Sequence, residues 1–162
     1  MRYLVIVVLL FSCQVEQEET QQFDKEIAKQ LINRLLDDWH QAAAVADEDV
    51  FFGSIKNEGI YLGTDKTERW TKEEFMDWGM KYFTERDTAW AFNPFDRQIY
   101  FGQSGKTAWF EEQLDTWMGN CRGSGVIEYI DSKWQIAHYN LAVTIDNDKI
   151  DHFIELTTEA EK

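Results

Sequence analysis

The residues best suited to chemistry are polar side chains inside the apolar run Trp134–Ile145. His138 and Asn140 stand two apart, so the period of an extended strand places both on one face with Trp134 and Ile136. An imidazole titrates near neutral pH and can act as an acid or a base. His138 is therefore the candidate catalytic residue, and the alternative is a structural histidine that is hydrogen-bonded inside the sheet.

Two charged residues in the same region could hold or balance the charge of a ligand. Arg122 and Glu112 fall in neighbouring predicted strands and could form an ion pair across them. In the alternative, the planar guanidinium of Arg122 anchors an acidic ligand. On the predicted first helix, His40 and Asp38 lie about 100° to either side of Trp39. At most one of the two can then reach a cavity beneath the helix, and His40 is expected at its rim.

No sequence pattern points to a metal, a cofactor or an activated nucleophile. His40, His138 and His152 are widely separated and form no HxH or HxxxH pair. Cys121 is expected to be a small, half-buried strand residue rather than a reactive thiol. Phosphate loops, dinucleotide fingerprints and nucleophile elbows are absent from the sequence. We therefore expect the protein to use neither a metal nor a cofactor.

A predicted β-meander carries most of these residues. Its strands are Thr107–Met118, Cys121–Ile130 and Trp134–Ile145, joined by the short polar breaks Gly119-Asn120 and Asp131-Ser132-Lys133 that are typical of antiparallel hairpins. Polar residues interrupt the apolar ones on more than one side of these strands. This pattern indicates a sheet that curls around a partly wet cavity.

A long amphipathic helix precedes the strands. Apolar residues at three- and four-residue spacing predict it, and they define one stripe that we expect to be buried: Phe23, Ile27, Leu31, Leu35, Trp39, Ala42, Ala43 and Ala46.

Two shorter helices are predicted from their first residues. Asp47 is expected to cap a helix through Ile55, with Val50 and Phe51 facing inward. The capping box Thr71-Lys72-Glu73-Glu74 predicts a third helix that runs to about Phe83, with an inner face of Phe75, Met76, Gly79 and Tyr82.

From Thr88 onward the sequence is rich in predicted strands. Thr88–Phe92 and Arg97–Phe101 precede the meander, and Pro94 between them marks a bend or a sheet edge because proline cannot donate to a ladder. Helices first and antiparallel strands afterwards predict an α+β fold with the helices on one face of the sheet.

The N-terminal residues are predicted to form an export signal. A nine-residue apolar run, Tyr3–Phe11, is too short to span a bilayer but suits a signal peptide over residues 1–12. The sequence Leu10-Phe11-Ser12-Cys13 resembles the lipobox of bacterial lipoproteins, which implies lipidation of Cys13 and a bacterial cell-envelope location. Gln14–Gln22 is almost wholly polar and completes a flexible tether over 13–22. Secretion without a lipid is the alternative.

The overall charge limits the partners. The chain has 16 basic and 30 acidic residues and a formal net charge of −14. A phosphate backbone would be repelled, so no nucleic-acid partner is expected. A polybasic membrane contact is equally disfavoured, which leaves the lipid as the expected attachment.

Several motifs, in order, resemble the nuclear transport factor 2-like superfamily and within it the SnoaL-like branch: DDWHQAAAVADEDVFF, IYLGTD, RWTKEEF, AWFEE, CRGSG and WQIAHYNL. The resemblance covers about Asp24–Ile145. It implies a cone-shaped α+β barrel, with N-terminal helices packed on a strongly curved antiparallel sheet, over residues 23–157, followed by a polar tail at 158–162. Asn140 and Ala142 stand where this branch often has a histidine and a serine.

The resemblance leaves three functions open, because the scaffold hosts many activities. The first is binding of a small, partly apolar molecule in the cone, with a predicted lining of Trp39, Tyr82, Trp109, Arg122, His138 and Asn140. The second is an isomerase, cyclase or dehydratase that uses acid–base chemistry at His138. The third is a protein-interaction module without a working pocket. Seven tryptophans and eleven phenylalanines exceed the needs of a small core, and this excess favours a homodimer through the outer sheet face.

Overall fold

The computed structural model describes residues 23–159. The predicted signal peptide, the lipidation site Cys13 and the tether lie outside these residues. Among the described helices, none combines the length and the apolar character needed to cross a bilayer.

Three helices begin where the sequence predicts them. The first, α1, spans Lys25–Ala44 and is capped by Asp24, whose carboxylate accepts from two backbone N–H groups. The second, α2, spans Glu48–Gly53 and is capped by Asp47. Helix α3 spans Lys72–Thr84, and its capping box, formed by Thr71 and Glu74, is complete. Each cap satisfies donors that the first helical turn leaves free.

The strands form one six-stranded, curved sheet that does not close. Its strands are β1 at Ile55–Leu62, β2 at Arg69–Thr71, β3 at Asn93–Phe101, β4 at Thr107–Thr116, β5 at Gly119–Ile130 and β6 at Lys133–Val143, in the spatial order β2-β1-β6-β5-β4-β3. The meander β4–β5–β6 is confirmed. A 3₁₀ turn at Asn147–Lys149 and a last helix, α4, at Ile150–Glu159 follow the sheet.

The expectation of a wholly antiparallel sheet needs one correction. Strand β1 runs parallel to β6, while all other neighbouring strands are antiparallel. The chain enters the sheet at Ile55 in β1, and β2 pairs with one side of β1. The strand on the other side is β6, which comes only after α3 and strands β3 to β5. Strand β3, which contains Pro94, lies at the other edge, where a missing N–H donor is tolerated.

Helix α1 packs on the concave face of the sheet. Its Trp39 ring lies 5.0 Å from the Phe51 ring of α2 and 4.6 Å from the Tyr139 ring of β6. Phe75 of α3 stacks on Tyr61 of β1 at 4.0 Å. The core is thus a continuous aromatic layer between the helices and the sheet.

The predicted buried faces are only partly correct. In the N-terminal half of α1, the residues that face the core are Ala28, Ile32 and Leu36, whereas Ile27 and Leu31 are exposed. In α2, Phe51 and Phe52 are buried and Val50 is exposed. A stripe defined by spacing alone does not distinguish two adjacent apolar rows, and here α1 carries both.

The segment 88–92, predicted as a strand, is a loop. The N–H groups of Ala89 and Trp90 both donate to the Ala43 carbonyl, at 3.0 and 3.1 Å. These bonds attach the loop to the C-terminal end of α1, so that its backbone is satisfied there rather than in a ladder.

A β-bulge in β6 changes which residues face the core. Ile127 of β5 pairs with Ile136, but the next residue back, Val126, pairs with His138, so Ala137 is an extra residue in β6. Ile136 and Tyr139 are both buried although they are three apart. Beyond the bulge, His138 and Asn140 therefore lie on the opposite face from Ile136.

Candidate functional site

A carboxylate lies buried at the centre of the concave face. Glu112 of β4 is 1% exposed and lies on the same strand face as the buried residues Ala108, Phe110 and Leu114. Its Oε1 is 2.7 Å from His40 Nε2, and its Oε2 accepts a 2.7 Å hydrogen bond from Arg97 Nε. Both carboxylate oxygens are therefore paired, as a buried charge requires.

The contact with Glu112 orients His40. An ionised carboxylate only accepts, so the hydrogen between the two side chains belongs to Nε2. The other ring nitrogen, Nδ1, forms no hydrogen bond with any described residue. His40 is 6% exposed, so the expectation of a solvated rim position is wrong. A carboxylate that fixes one imidazole nitrogen leaves the other to accept or donate a proton, the arrangement used by acid–base histidines.

Arg97 reaches Glu112 through a second bulge. Phe95 pairs with Gln113, and Gln98 pairs with Glu111, so β3 has one extra residue opposite Glu112. The guanidinium of Arg97 also contacts α1, where Nη1 donates to Asp37 Oδ1 at 2.8 Å and to the Asn33 carbonyl at 3.1 Å. A chain of charges thus runs from exposed Asp37 to buried His40. The predicted pair of Glu112 with Arg122 does not form, because Arg122 pairs in register with Gln113 on the other face.

The environment of Glu112 favours its charged form. Burial by itself raises the pKa of the Glu112 carboxyl, but the hydrogen bond and charge of His40, together with the Arg97 guanidinium, hold that pKa below its ordinary value. The nearby Tyr139 behaves in the opposite way. Burial and the Glu112 charge raise the pKa of the Tyr139 hydroxyl well above its ordinary value, so it stays protonated as a donor.

Within residues 23–159, two buried donors beside this charge network have no hydrogen-bond partner. They are Trp39 Nε1 and the Tyr139 hydroxyl. A Cβ on Gly123 would lie 2.5 Å from that hydroxyl and 3.1 Å from Glu112 Oε1, so the glycine makes room for both groups. We call the adjoining space of about 10 Å³ the inner chamber; it is lined by Trp39, His40, Ala43, Phe51, Trp90, Phe92 and Tyr139.

A larger pocket lies beside the β4–β5 turn, where Trp117 and Met118 line it. This aromatic cleft has a volume of about 530 Å³ and contains Thr64, Glu68, Arg86 and Thr88 as its polar residues. Arg86 packs over the Tyr82 ring at 4.6 Å. Trp90 and Phe92 line both the cleft and the inner chamber and so separate the two spaces. The aromatic lining of the cleft is Tyr61, Trp70, Trp78, Tyr82, Trp90, Phe92 and Trp117.

The structure divides the predicted pocket residues among three places. Tyr82 lines the cleft, and Trp39 lines the inner chamber. The convex face, which points away from the helices, carries Trp109, Arg122, His138 and Asn140. Val126 pairs with both Trp109 and His138, so these three residues share one face. Two residues further along, Ser124 pairs with Asn140 on the same face. The expectation that all six share one cavity is wrong. The bulge at Ala137 turns His138 and Asn140 outward, and Trp109 and Arg122 face outward because their neighbours Phe110 and Cys121 are buried.

His40, Glu112 and Arg97 were not predicted to act together. Glu112 could have been found from the alternation of β4, since a charged residue in phase with Ala108, Phe110 and Leu114 must be paired when buried. No local pattern identifies Arg97, because the bulge that turns it inward depends on the pairing of two strands.

The site offers no evident place for a metal ion. Within residues 23–159, no three His, Cys, Asp or Glu side chains converge closely enough to coordinate one. The side chains described at this site offer hydrogen-bonding groups, an imidazole and aromatic faces.

Comparisons with known proteins agree with this architecture. A family model for a SnoaL-like domain matches residues 32–146. No curated protein matches the sequence.

Solved structures share the fold at low sequence identity. A nuclear transport factor 2-like protein of unknown function from Pseudomonas putida is 13% identical, with a TM-score of 0.64, and the match covers 76% of this chain and 92% of that one. A nuclear transport factor 2-like protein from Cytophaga hutchinsonii is 14% identical, with a TM-score of 0.59, and the match covers 72% of this chain and 98% of that one. A Novosphingobium aromaticivorans protein, provisionally named a scytalone dehydratase, is 8% identical, with a TM-score of 0.62 and coverage of 74% and 86%. These likenesses establish the fold.

Proposed function

The chain belongs to the SnoaL-like domain family, and from this premise we propose that it is an exported, lipid-anchored domain that binds a small, flat, partly apolar molecule in the aromatic cleft. The observation that carries the binding function is the cleft itself: about 530 Å³ lined by seven aromatic side chains, with Arg86 and Glu68 as its charged groups. Concave, mostly apolar pockets with a few polar groups are typical of small-molecule sites.

The geometry of the aromatic rings supports a flat ligand. The Trp70 and Trp78 rings are 4.7 Å apart and tilted by 26°, and Trp78 and Trp90 are parallel to within 5° at 6.2 Å. Such rings present similarly oriented faces, against which a planar ligand can stack. Trp117, at the β4–β5 turn, is 83% exposed and stands at the cleft, where a ligand would cover it.

The seven tryptophans provide a direct test of binding. In an NMR titration with 2-naphthol as the probe, we expect the indole N–H signals of the cleft residues Trp70, Trp78, Trp90 and Trp117 to shift. Trp109, on the convex face, is the internal control and should not shift. Trp78→Leu should weaken binding about tenfold, since one stacked aromatic contact contributes up to about 1.5 kcal/mol. Shifts of Trp109 alone, or no shifts at millimolar probe, would rule out the cleft as the site.

The anchor is proposed from residues outside the described part of the chain. The apolar run before Cys13 is too short to remain as a membrane span, so attachment would depend on a lipid at Cys13. Mass spectrometry of the mature protein should show a modified Cys13 at its N-terminus, and Cys13→Ala should release the protein from membranes or block its maturation. An unmodified Cys13, or a mature N-terminus elsewhere, would refute the anchor.

A second function, acid–base catalysis, is supported by the His40–Glu112 contact. Glu112 fixes Nε2 of His40 and leaves Nδ1 available for proton transfer, while Trp39 and Tyr139 have donors without partners. Two such donors could stabilise a developing negative charge on a substrate oxygen. Trp90 and Phe92 would have to move for a ligand in the cleft to reach these groups.

Proton abstraction next to a carbonyl tests this second function. Exchange of the C1 protons of 2-tetralone into D₂O, followed by NMR, should be accelerated by the protein. His40→Gln should abolish the acceleration, while His138→Gln, which changes the histidine on the convex face, should leave it intact. The opposite pattern would assign the chemistry to His138, and no acceleration would argue against enolisation.

A further inference from the structure

The N-terminal half of α1 carries a second apolar stripe that no part of residues 23–159 covers. Ala28 and Ile32 face the core, whereas Phe23, Ile27 and Leu31 are 42%, 56% and 46% exposed. Ile27 and Leu31 are four apart and therefore lie in one row along the helix, and Phe23, just before the cap residue Asp24, lines the same pocket. A contiguous exposed apolar row usually marks an interaction surface.

This row forms one wall of a groove. The N-terminal groove, defined by Phe23, Ile27, Leu31, Lys106, Tyr129 and Trp134, has a volume of about 400 Å³. Tyr129 and Trp134 form the opposite wall, with their rings 5.2 Å apart. The groove and the aromatic cleft share no lining residue.

The groove is preformed rather than a gap beside a loose terminus. The Phe23 ring packs edge-on against Phe101 at 5.3 Å. It also lies over the β3–β4 turn, where a Cβ on Gly105 would come within 2.5 Å of the ring. Gly105 has a φ of +69°, a conformation that favours glycine, so turn and ring fit together. Phe23 is thus held in place as the outer end of the groove.

The position of the groove relates it to the proposed anchor. Lys106 directly precedes β4 and Trp117 directly follows its end, so the groove and the cleft lie at opposite ends of that strand. Only Gln14–Gln22 separates Cys13 from Phe23. Even fully extended, this segment spans about 35 Å. A lipid on Cys13 would therefore keep the groove within about 35 Å of the bilayer surface.

We propose that the N-terminal groove docks on the phospholipid bilayer that holds the lipid of Cys13, with its apolar walls in contact with the acyl chains. The inference rests on the proposed anchor. Tyrosine and tryptophan suit this boundary because they combine an apolar ring with a polar tip. Lys106 can extend its amine to the phosphates. The charged groove residues Asp24 and Lys106 balance each other, so this surface lacks the acidic excess of the whole chain.

Docking would supply the second contact that turns a flexible attachment into a defined orientation. Lipid anchors act together with an additional apolar or electrostatic contact to give stable membrane binding. Because the cleft lies at the other end of β4, docking of the groove would direct the cleft away from the bilayer and toward solvent.

Quenching of tryptophan fluorescence by brominated acyl chains tests the inference. The full-length lipidated protein is placed in phosphatidylcholine vesicles with and without brominated chains. We expect quenching, and Trp134→Phe should remove most of it, whereas Trp78→Phe, in the cleft, should leave the quenched component unchanged. Ile27→Glu should also abolish quenching while the protein still sediments with vesicles. Gln30→Glu, which adds the same charge at an exposed α1 position outside the groove, is the matched control.

The possible outcomes separate docking from anchoring. If Cys13 carries a lipid but the brominated chains do not quench, or if Ile27→Glu leaves quenching intact, docking is wrong and the anchor stands. If Cys13 carries no lipid, both proposals fail. If Ile27→Glu changes only the oligomeric mass in detergent, the groove belongs to an interface with a second copy and membrane docking is overturned.

Discussion

Glu112 and His40 are 72 residues apart in the sequence, and Glu112 Oε1 lies 2.7 Å from His40 Nε2 in the folded chain. The same carboxylate accepts from Arg97 Nε at 2.7 Å, so one buried group joins α1, β3 and β4. Removing one partner from a buried pair leaves the others without compensation, which costs more than the pair contributes. Glu112 is therefore important to the fold whether or not His40 is catalytic.

Glu112→Gln should destabilise the protein by about 3 kcal/mol, the order expected when a buried ion pair loses one partner. Urea unfolding monitored by circular dichroism is the measurement. Glu111→Gln, at the neighbouring exposed residue of β4, is the matched control and should change stability by less than about 0.5 kcal/mol. Equal losses in the two variants would contradict a special role for the buried carboxylate.

The stabilisation from Glu112 should depend on pH. Its pKa in the folded protein is held below the ordinary value of 4.5, so the unfolded chain takes up this proton first as the pH falls. The contribution is fully present above pH 4.5 and is lost as the pH drops through the folded pKa. We expect the difference in unfolding free energy between wild type and Glu112→Gln to shrink as the pH falls below 4.5. If the difference in unfolding free energy between the two proteins grew on acidification, the expected direction of the pH dependence would be wrong.

Tyr139→Phe should leave stability unchanged or raise it slightly. The hydroxyl is buried and forms no hydrogen bond with the described part of the chain, so its removal breaks no bond there and relieves the cost of an unsatisfied donor. Tyr139→Leu, which leaves a cavity beside Trp39, should cost about 3 kcal/mol. A loss above about 1 kcal/mol for the phenylalanine variant would show that the hydroxyl is bonded, for example to a buried water.

The convex face should form a homodimer. Tyr100 and Trp109 are both exposed there, with their rings stacked at 5.8 Å, and Val126 and His138 continue the same register. Trp109→Glu should shift the protein from dimer to monomer in sedimentation experiments in detergent. Trp117→Glu changes an exposed tryptophan at the cleft and should leave the mass unaltered. A wild-type monomer at micromolar concentration would refute the dimer.

The sequence predicted the elements better than their faces. The cap residues Asp47 and Thr71 act locally and appear where expected, as does the turn at Asp131-Ser132. The first turn of the meander lies at Trp117-Met118, two residues before the predicted Gly119-Asn120, which belong to β5. The direction of β1 was not predictable in this way, since its parallel pairing with β6 joins residues about 80 positions apart. Local patterns identify where an element begins but not which neighbour it meets.

The candidate site was predicted least well, for a similar reason. Its expected lining depended on strict alternation through β6, and the single extra residue Ala137 reverses that alternation for His138 and Asn140. On α1, two apolar rows lie side by side; three- and four-residue spacing predicts burial of the row of Ile27, whereas the row of Ile32 is the buried one. Tertiary packing determines where a bulge forms and which of two apolar rows is buried. The spacing of apolar residues in the sequence contains no information about that packing.

The bulge at Ala137 also has an evolutionary consequence. Deletion of this one residue would leave a regular ladder with the same pairs, so His138 would stay on the convex face and Tyr139 in the core. A strand that kept Ala137 but paired it in the ladder would instead turn His138 and Asn140 toward the helices and Tyr139 outward. Relatives of this chain that keep this residue without the bulge are the ones in which an exchange of polar groups between the two surfaces should be sought.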